Sequence, residues 1–220
     1  MGPPLLIWAA ITRNPAALYR AAKLIIRIIV AIVGIRLRVH GIEHIQMHRA
    51  AVYAFNHSSN VEPPLAFLAL SRLFPKLRVL YKAELRKLPV LVWVFDAAGF
   101  VPVDRQNRDQ SLPAVDSAVD ALRSGASFVI FPEGTRSRTG ELLPFKKGGF
   151  VMALKAQVPI VPCVIRGTRD AMRLGSSVVH PVTVDVTICA PVETAGKMLS
   201  DRDGLIDAVR SAISTTLAAG

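Results

Sequence analysis

Apolar positions along this chain fall into two regimes that meet near residue 35. Beyond it, short β-rich runs alternate with stretches of helical period. The runs 36–40 (RLRVH), 51–55 (AVYAF), 78–82 (RVLYK), 99–103 (GFVPV), 127–131 (SFVIF), 160–165 (IVPCVI) and 182–189 (VTVDVTIC) predict strands. Helical spacing predicts helices over 63–74, 87–97, 111–124, 148–156 and 201–217. The clearest is 111–124: Leu112, Val115, Val119 and Leu122 share one face, and Asp116, Asp120 and Arg123 the other. Ser111 suits its N-cap, Pro113 its first turn and Gly125 its stop. Strand–helix alternation predicts an α/β domain over 36–220, with a largely parallel sheet of about seven strands flanked by helices. Sites in such sheets form at the carboxyl ends of strands. Three polar stretches sit there: His57 after the second run, Asp104-Arg105 after the fourth, and Pro132-Glu133-Gly134 after the fifth.

Before residue 35 the apolar runs "LLIWAAI" and "LIIRIIVAIVGI" predict two helical pieces, 4–13 and 16–34, broken at Asn14-Pro15. Residues 1–40 hold six basic side chains (Arg13, Arg20, Lys23, Arg27, Arg36, Arg38) and no acid. Arg13, Arg20 and Arg27 recur every seven residues, with Lys23 on the same face. A basic stripe on an otherwise oily helix pair predicts a separate element, residues 1–35, that lies amphipathically in one leaflet with its cations at the headgroups. An ordinary core helix pair is the alternative. A membrane span fits less well, because no window offers eighteen uninterrupted apolar residues. A secretory signal fits less well too, because cations interrupt the apolar run.

Composition narrows the class. The chain has 220 residues and 51% hydrophobic content, with a mean hydropathy of +0.39. The formal net charge of +11 favours an anionic partner: a membrane surface, a nucleic acid or a phosphorylated substrate. Aromatic content of 6%, placed mostly in apolar runs, gives no stacking platform for nucleic acid. Cys163 and Cys189 lie in strand-like segments without metal-ligand spacing, and read as free thiols of a reducing compartment. No metal is expected.

Three stretches carry candidate chemistry. In "FNHSSNVEPP", His57 follows an apolar strand and precedes Ser58, Ser59 and Asn60. All three are good helix caps, and Pro63 and Pro64 suit the first turn of a helix. The stretch alone reads equally as a capped loop. It also fits general-base chemistry: a neutral imidazole accepts a proton from an alcohol, given a carboxylate to fix its tautomer. Glu62 lies five positions on, about 140° round if both sat on one helix. A histidine before the helix and a carboxylate in its first turn can nevertheless meet. In "FVIFPEGTRSRTGELLPFKKGG", Gly134 allows close backbone approach, Thr135 offers a hydroxyl, and Arg136 a fork matched to phosphate oxygens, with Arg138, Lys146 and Lys147 following. A solvated basic turn is the plainer reading. Between them, "KAELRKLPVLVWVFDAAGFVPVDR" ends in Arg105, a second phosphate candidate or the partner of Asp104. Its apolar helix lines either an acyl channel or the core.

Taken together, these stretches resemble the glycerolipid acyltransferases, and among them those acting on 1-acylglycerol-3-phosphate. A first block, His-x4-Asp in that family, is carried by His57 to Glu62 with glutamate in place of aspartate. A second reads Gly99-Phe100-Val101-Pro102-Val103-Asp104-Arg105, preceded by Lys82-Ala83-Glu84-Leu85 and Pro89. A third is Phe131-Pro132-Glu133-Gly134-Thr135-Arg136-Ser137, and a fourth Val158-Pro159-Ile160-Val161-Pro162. The resemblance covers residues 50–165, in the expected order, and the basic N-terminal helix pair is similar to the docking element of bacterial members.

The resemblance implies an enzyme that moves a fatty acyl group from a thioester to the hydroxyl of lysophosphatidic acid, giving phosphatidic acid for phospholipid synthesis. The donor is acyl-coenzyme A or acyl carrier protein, and no cofactor is implied. His57 is the implied base and Glu62 its orienting carboxylate. Arg105, Glu133, Gly134, Thr135, Arg136 and, more weakly, Lys146 build the glycerol-phosphate end. The expected location is peripheral and monotopic, on the cytoplasmic face of an anionic membrane. Another lysolipid or glycerol phosphate as acceptor, or hydrolysis of a lipid or thioester by the same histidine, remain alternatives. The extra methylene of Glu62 puts the catalytic pair's geometry in question, because a misplacement of 1 Å costs about 100-fold.

Overall fold

The computed structural model describes residues 15–87, 89–103, 108–173, 175–176 and 178–219. The expected helix over 4–13 and Arg105 lie outside these residues. The first described helix, α1 (Pro15–Val33), opens at Pro15 and ends before Gly34, whose φ of +78° only glycine adopts cheaply. Two faces of α1 are apolar. Ala22, Ile26, Val30 and Val33 pack against the core, while Leu24, Ile28 and Ile32 are 56, 49 and 80% exposed. At its start Tyr19 is buried among Phe67, Phe74 and Phe100 and donates a hydrogen bond to the carbonyl of Leu77. Core helix and outward oily helix, set against each other by sequence, are thus two faces of one element.

Seven strands form one sheet in the order β1-β7-β6-β2-β5-β3-β4. They are β1 (Arg36–His40), β2 (Val52–Phe55), β3 (Leu77–Lys82), β4 (Val101–Val103), β5 (Ser127–Ile130), β6 (Ile160–Arg166) and β7 (Thr183–Ile188). β6, β2, β5, β3 and β4 run parallel. β7 pairs antiparallel with β6, and β1 joins the edge parallel to β7. The expected largely parallel sheet is therefore found, and all seven expected strands are in it.

β2 is the centre, with Val52 opposite both Phe128 and Ile160, and residues 51–55 are wholly buried. That is why it reads as an unbroken apolar run rather than an alternating one. Alternate side chains supply two cores. Tyr53 and Phe55 join the layer of α1 and α2 (Glu62–Ala69). Val52 and Ala54 join the layer of α4 (Arg108–Arg123), α5 (Gly148–Ala156) and α7 (Arg202–Ala218). The remaining helices are α3 (Pro89–Ala97) and the single turn α6 (Thr168–Ala171). α4 begins three residues before the expected cap, so Pro113 lies inside it. It is the sixth residue of the helix, past the first turn, so its missing N–H forfeits one intrahelical bond, that to the carbonyl of Asp109.

The sheet decides where chemistry can sit. β6, β2 and β5 are parallel neighbours, so the segments after Phe55, Ile130 and Arg166 leave on one edge. Asn56 marks the exit of β2. Its amide accepts from Ile165 N–H at 2.8 Å and donates to Ile165 C=O at 3.0 Å, which continues the ladder after the backbone has turned away. Substituting Asn56→Ala orphans both buried groups and is expected to cost about 2 kcal/mol. The measurement is the urea midpoint, at unchanged slope; an unaltered midpoint would show that water replaces the amide.

Candidate active site

Glu62 is the first residue of α2, and Pro63 and Pro64 follow it where their missing N–H groups cost nothing. Its side chain turns back beneath the loop it ends and is fully buried. Oε2 lies 2.7 Å from Nδ1 of His57 and accepts the Ser58 N–H at 2.8 Å. Oε1 accepts the Ser58 hydroxyl at 2.7 Å and the Thr168 hydroxyl at 2.6 Å. A carboxylate offers about four acceptor sites, and here all are used. The additional methylene of glutamate therefore does not separate the pair: carboxylate and ring meet at the distance of a charge-assisted hydrogen bond.

His57 is held as firmly through its backbone. Its N–H donates to Oε1 of Glu133 at 2.7 Å, and its carbonyl accepts the Ser137 N–H at 2.8 Å. The ring lies over Phe131, with centroids 4.4 Å apart, and its side chain keeps 12% exposure. With Nδ1 committed as donor to Glu62, the neutral ring carries its free lone pair on Nε2. Near-complete burial, a fixed tautomer and a carboxylate behind it equip the imidazole to accept a proton and to stabilise the resulting charge.

The loop after β5 supplies the facing side. Glu133 is 2% exposed, and its second oxygen accepts the Leu143 N–H at 2.9 Å. Burial pushes its carboxyl above the ordinary carboxylate range, against the pull of those two backbone N–H groups. Its carboxylate faces into the protein and ties the His57 loop to residues 133–143. Gly134 has φ +71°, and a Cβ there would stand 3.1 Å from Cγ of Lys146, whose stem crosses the turn. Lys146 itself donates its backbone N–H to Pro132 C=O at 2.6 Å. Thr135 and Lys146 are exposed and Arg136 is half-buried, and among the described residues none of these cations is paired with a carboxylate. Of the sequence candidates, His57, Glu62, Glu133, Gly134, Thr135, Arg136 and Lys146 thus surround one strand-end edge.

Two further contributors escaped the sequence reading. The turn α6 after β6 brings Thr168 onto Glu62 and Arg169 onto the carbonyl of Arg138 at 2.9 Å, while Ser59 donates to the carbonyl of Met172 at 2.8 Å. Arg210 of α7 donates to the carbonyls of Leu142 and Leu143 at 2.9 and 2.6 Å and lies over the Phe145 ring. A Gly-Thr pair directly after the strand next to β2 was the available signal for the first. Arg210 gave none. Among the described residues no group of three or more His, Cys, Asp or Glu is arranged to hold a metal. Burial raises the thiol of Cys163 well above its usual range, which disfavours a thiolate there.

Residues 36–166 match the family model described as Acyltransferase. The chain is 36% identical over 169 residues to a 1-acyl-sn-glycerol-3-phosphate acyltransferase of Limnanthes douglasii, covering 76% of this chain and 58% of that protein. It therefore spans little more than half the length of that relative. It is 30% identical over 203 residues to an uncharacterized acyltransferase of Schizosaccharomyces pombe, covering 90% of this chain and 71% of the yeast protein. In fold it is similar to the crystal structure of a 1-acyl-sn-glycerophosphate acyltransferase from Thermotoga maritima. The TM-score is 0.79 at 24% identity, over 97% of this chain and 86% of the other.

Glu133→Gln is expected to place an amide donor against one of two backbone N–H donors and so to release the His57 loop. Turnover should fall and the unfolding free energy drop by about 1–3 kcal/mol, read by steady-state kinetics and urea titration. Full activity would mean that the loop is held without this carboxylate.

Proposed function

This chain belongs to the acyltransferase family, and from that premise we propose that it esterifies the free hydroxyl of lysophosphatidic acid with a fatty acyl group from a thioester, giving phosphatidic acid. The observation that carries the reading is the joining of two motif blocks 76 residues apart: the backbone of His57 is bonded to Glu133 while its ring is bonded to Glu62. The names of the Limnanthes and Thermotoga relatives support this acceptor.

In the proposed mechanism His57 Nε2 takes the acceptor's hydroxyl proton as the oxygen attacks the thioester carbonyl. Glu62 holds the ring and stabilises the imidazolium. The proton then goes to the departing thiolate of coenzyme A or acyl carrier protein, so no acyl-enzyme and no cofactor enter. Arg136 and Lys146, with the Thr135 hydroxyl and the close approach allowed by Gly134, receive the phosphate; Arg105 is assigned beside them on its motif alone. Glu133 acts by holding the His57 loop rather than by meeting substrate.

A membrane surface is the proposed workplace, because acceptor and product are lipids and the donor arrives from water. Residues 1–35 form the docking element on an α/β body, 36–220. Support comes from the outward Leu24, Ile28 and Ile32 beside exposed Arg20 and Arg27. No helix among the described residues is long and apolar enough to cross a membrane. The cytoplasmic face, where the donor resides, is part of the same proposal.

His57→Ala should lower acyl transfer roughly 100- to 10,000-fold while leaving the fold and vesicle binding intact. An acceptor panel with one labelled acyl thioester, its products separated by mass, checks the substrate. Dominant free fatty acid would make the protein a hydrolase, and preference for another lysolipid would move the headgroup. Ile28→Glu with Ile32→Glu should weaken binding to phosphatidylglycerol-containing vesicles more than about tenfold, since each isoleucine contributes about 1.5–3 kcal/mol when buried. Unchanged sedimentation with vesicles would remove α1 from docking.

A further inference from the structure

We propose that Thr168 is a positioning residue for acyl transfer, and that its hydroxyl, delivered by the turn after β6, is what keeps a glutamate at position 62 aimed at His57. This rests on the mechanism above, in which Glu62 orients the ring.

The carboxylate of Glu62 has two oxygens with different anchors. Oε2 faces His57 Nδ1 and the Ser58 N–H, and Oε1 faces the hydroxyls of Ser58 and Thr168. Three of these four donors belong to the His57-Ser58 segment itself. They tie the carboxylate only to the loop that carries the ring, whose own anchors, Glu133 and Ser137, act on the His57 backbone and not on Glu62. Thr168 is the exception: it comes from 106 residues away and makes the shortest of the four contacts, 2.6 Å. Thr168 is 1% exposed, and its hydroxyl lies 3.4 Å from that of Ser58 and 2.6 Å from Oε1, the shorter contact of the two.

The turn is built to deliver that hydroxyl. β6 lies beside the central strand, so its end is fixed by the sheet. Gly167 then adopts φ +81°, and a Cβ on it would stand 2.4 Å from the carbonyl oxygen of Thr183; no other residue lets the chain pass there. The Met172 N–H closes the turn on Thr168 C=O at 3.0 Å, and Met172 C=O in turn accepts the Ser59 hydroxyl at 2.8 Å. One short turn therefore grips the His57–Glu62 loop twice, at its carboxylate and at Ser59. Glutamate has one more rotatable bond than aspartate, so its carboxylate needs a hold on the oxygen not given to histidine. The hydroxyl of Thr168 supplies it. The turn lies just beyond the residues matched by the family model, 36–166.

The test compares Thr168→Val, nearly the same shape without the donor, with Thr168→Ser, which keeps it. Thr168→Val should lower kcat roughly 10- to 100-fold at unchanged KM for both substrates, and Thr168→Ser should restore most of it. In a Glu62→Ala background, Thr168→Val should cost nothing more, whereas a general structural role would lower both backgrounds alike. A readout without catalysis accompanies these: the Nδ1–H proton of His57, followed by NMR in protein with 15N-labelled histidine. Its downfield signal should be lost or shifted upfield in Thr168→Val and kept in Thr168→Ser. If Thr168→Val fails to fold, Thr168→Ala takes its place in both measurements. An unperturbed signal together with an unchanged kcat overturns the proposal. A perturbed signal in a protein that transfers no acyl group upholds the positioning and overturns the assigned reaction instead.

Discussion

Two buried carboxylates set the terms for this molecule. Taking a carboxylate out of water is tolerated only when its oxygens are met by donors, so each one dictates the backbone around it. Glu62 requires the His57-Ser58 segment and Thr168. Glu133 requires the N–H groups of His57 and Leu143. Both demands converge on residue 57, held through its ring by one carboxylate and through its amide by the other. The cost of burying charge is thus turned into rigidity at His57, where the proposed mechanism moves a proton and preorganisation is needed.

The sheet makes that convergence possible and inexpensive. Adjacent parallel strands β6, β2 and β5 release their chains at one edge, so three loops from distant parts of the sequence begin within reach of each other. Asn56 extends the pairing one step further, and the histidine follows directly after a rigid element. The exposed apolar side chains proposed to meet lipid lie elsewhere, on α1, whose inner face is anchored in the core.

How much of this could be read in the sequence depended on what each feature is made of. The central parallel strands announce themselves as short apolar runs, and β1 and β7 as alternating ones, so all seven were legible. The His57–Glu62 pairing was legible because the two lie on one loop, whose fold-back the proline pair suggests. Glu133 was visible as part of a motif, but not the direction of its side chain. A turn can aim a carboxylate outward at a phosphate or inward at backbone amides, and only packing decides. α1 gave a double signal because it has two apolar faces. Thr168 and Arg210 were hidden because they act on residues distant in sequence, Glu62 at 106 positions and Leu143 at 67, which no local pattern encodes.

The grip of Arg210 on Leu142 and Leu143 has a consequence for biosynthesis. The strands that precede His57 and Glu133 are made before α7. The loop that Glu133 fastens is therefore braced only once α7 has left the ribosome and packed against the sheet. A chain that stops short of α7 carries every motif of the site but lacks this brace. Synthesis of α7 and the full bracing of the His57–Glu133 site become the same event.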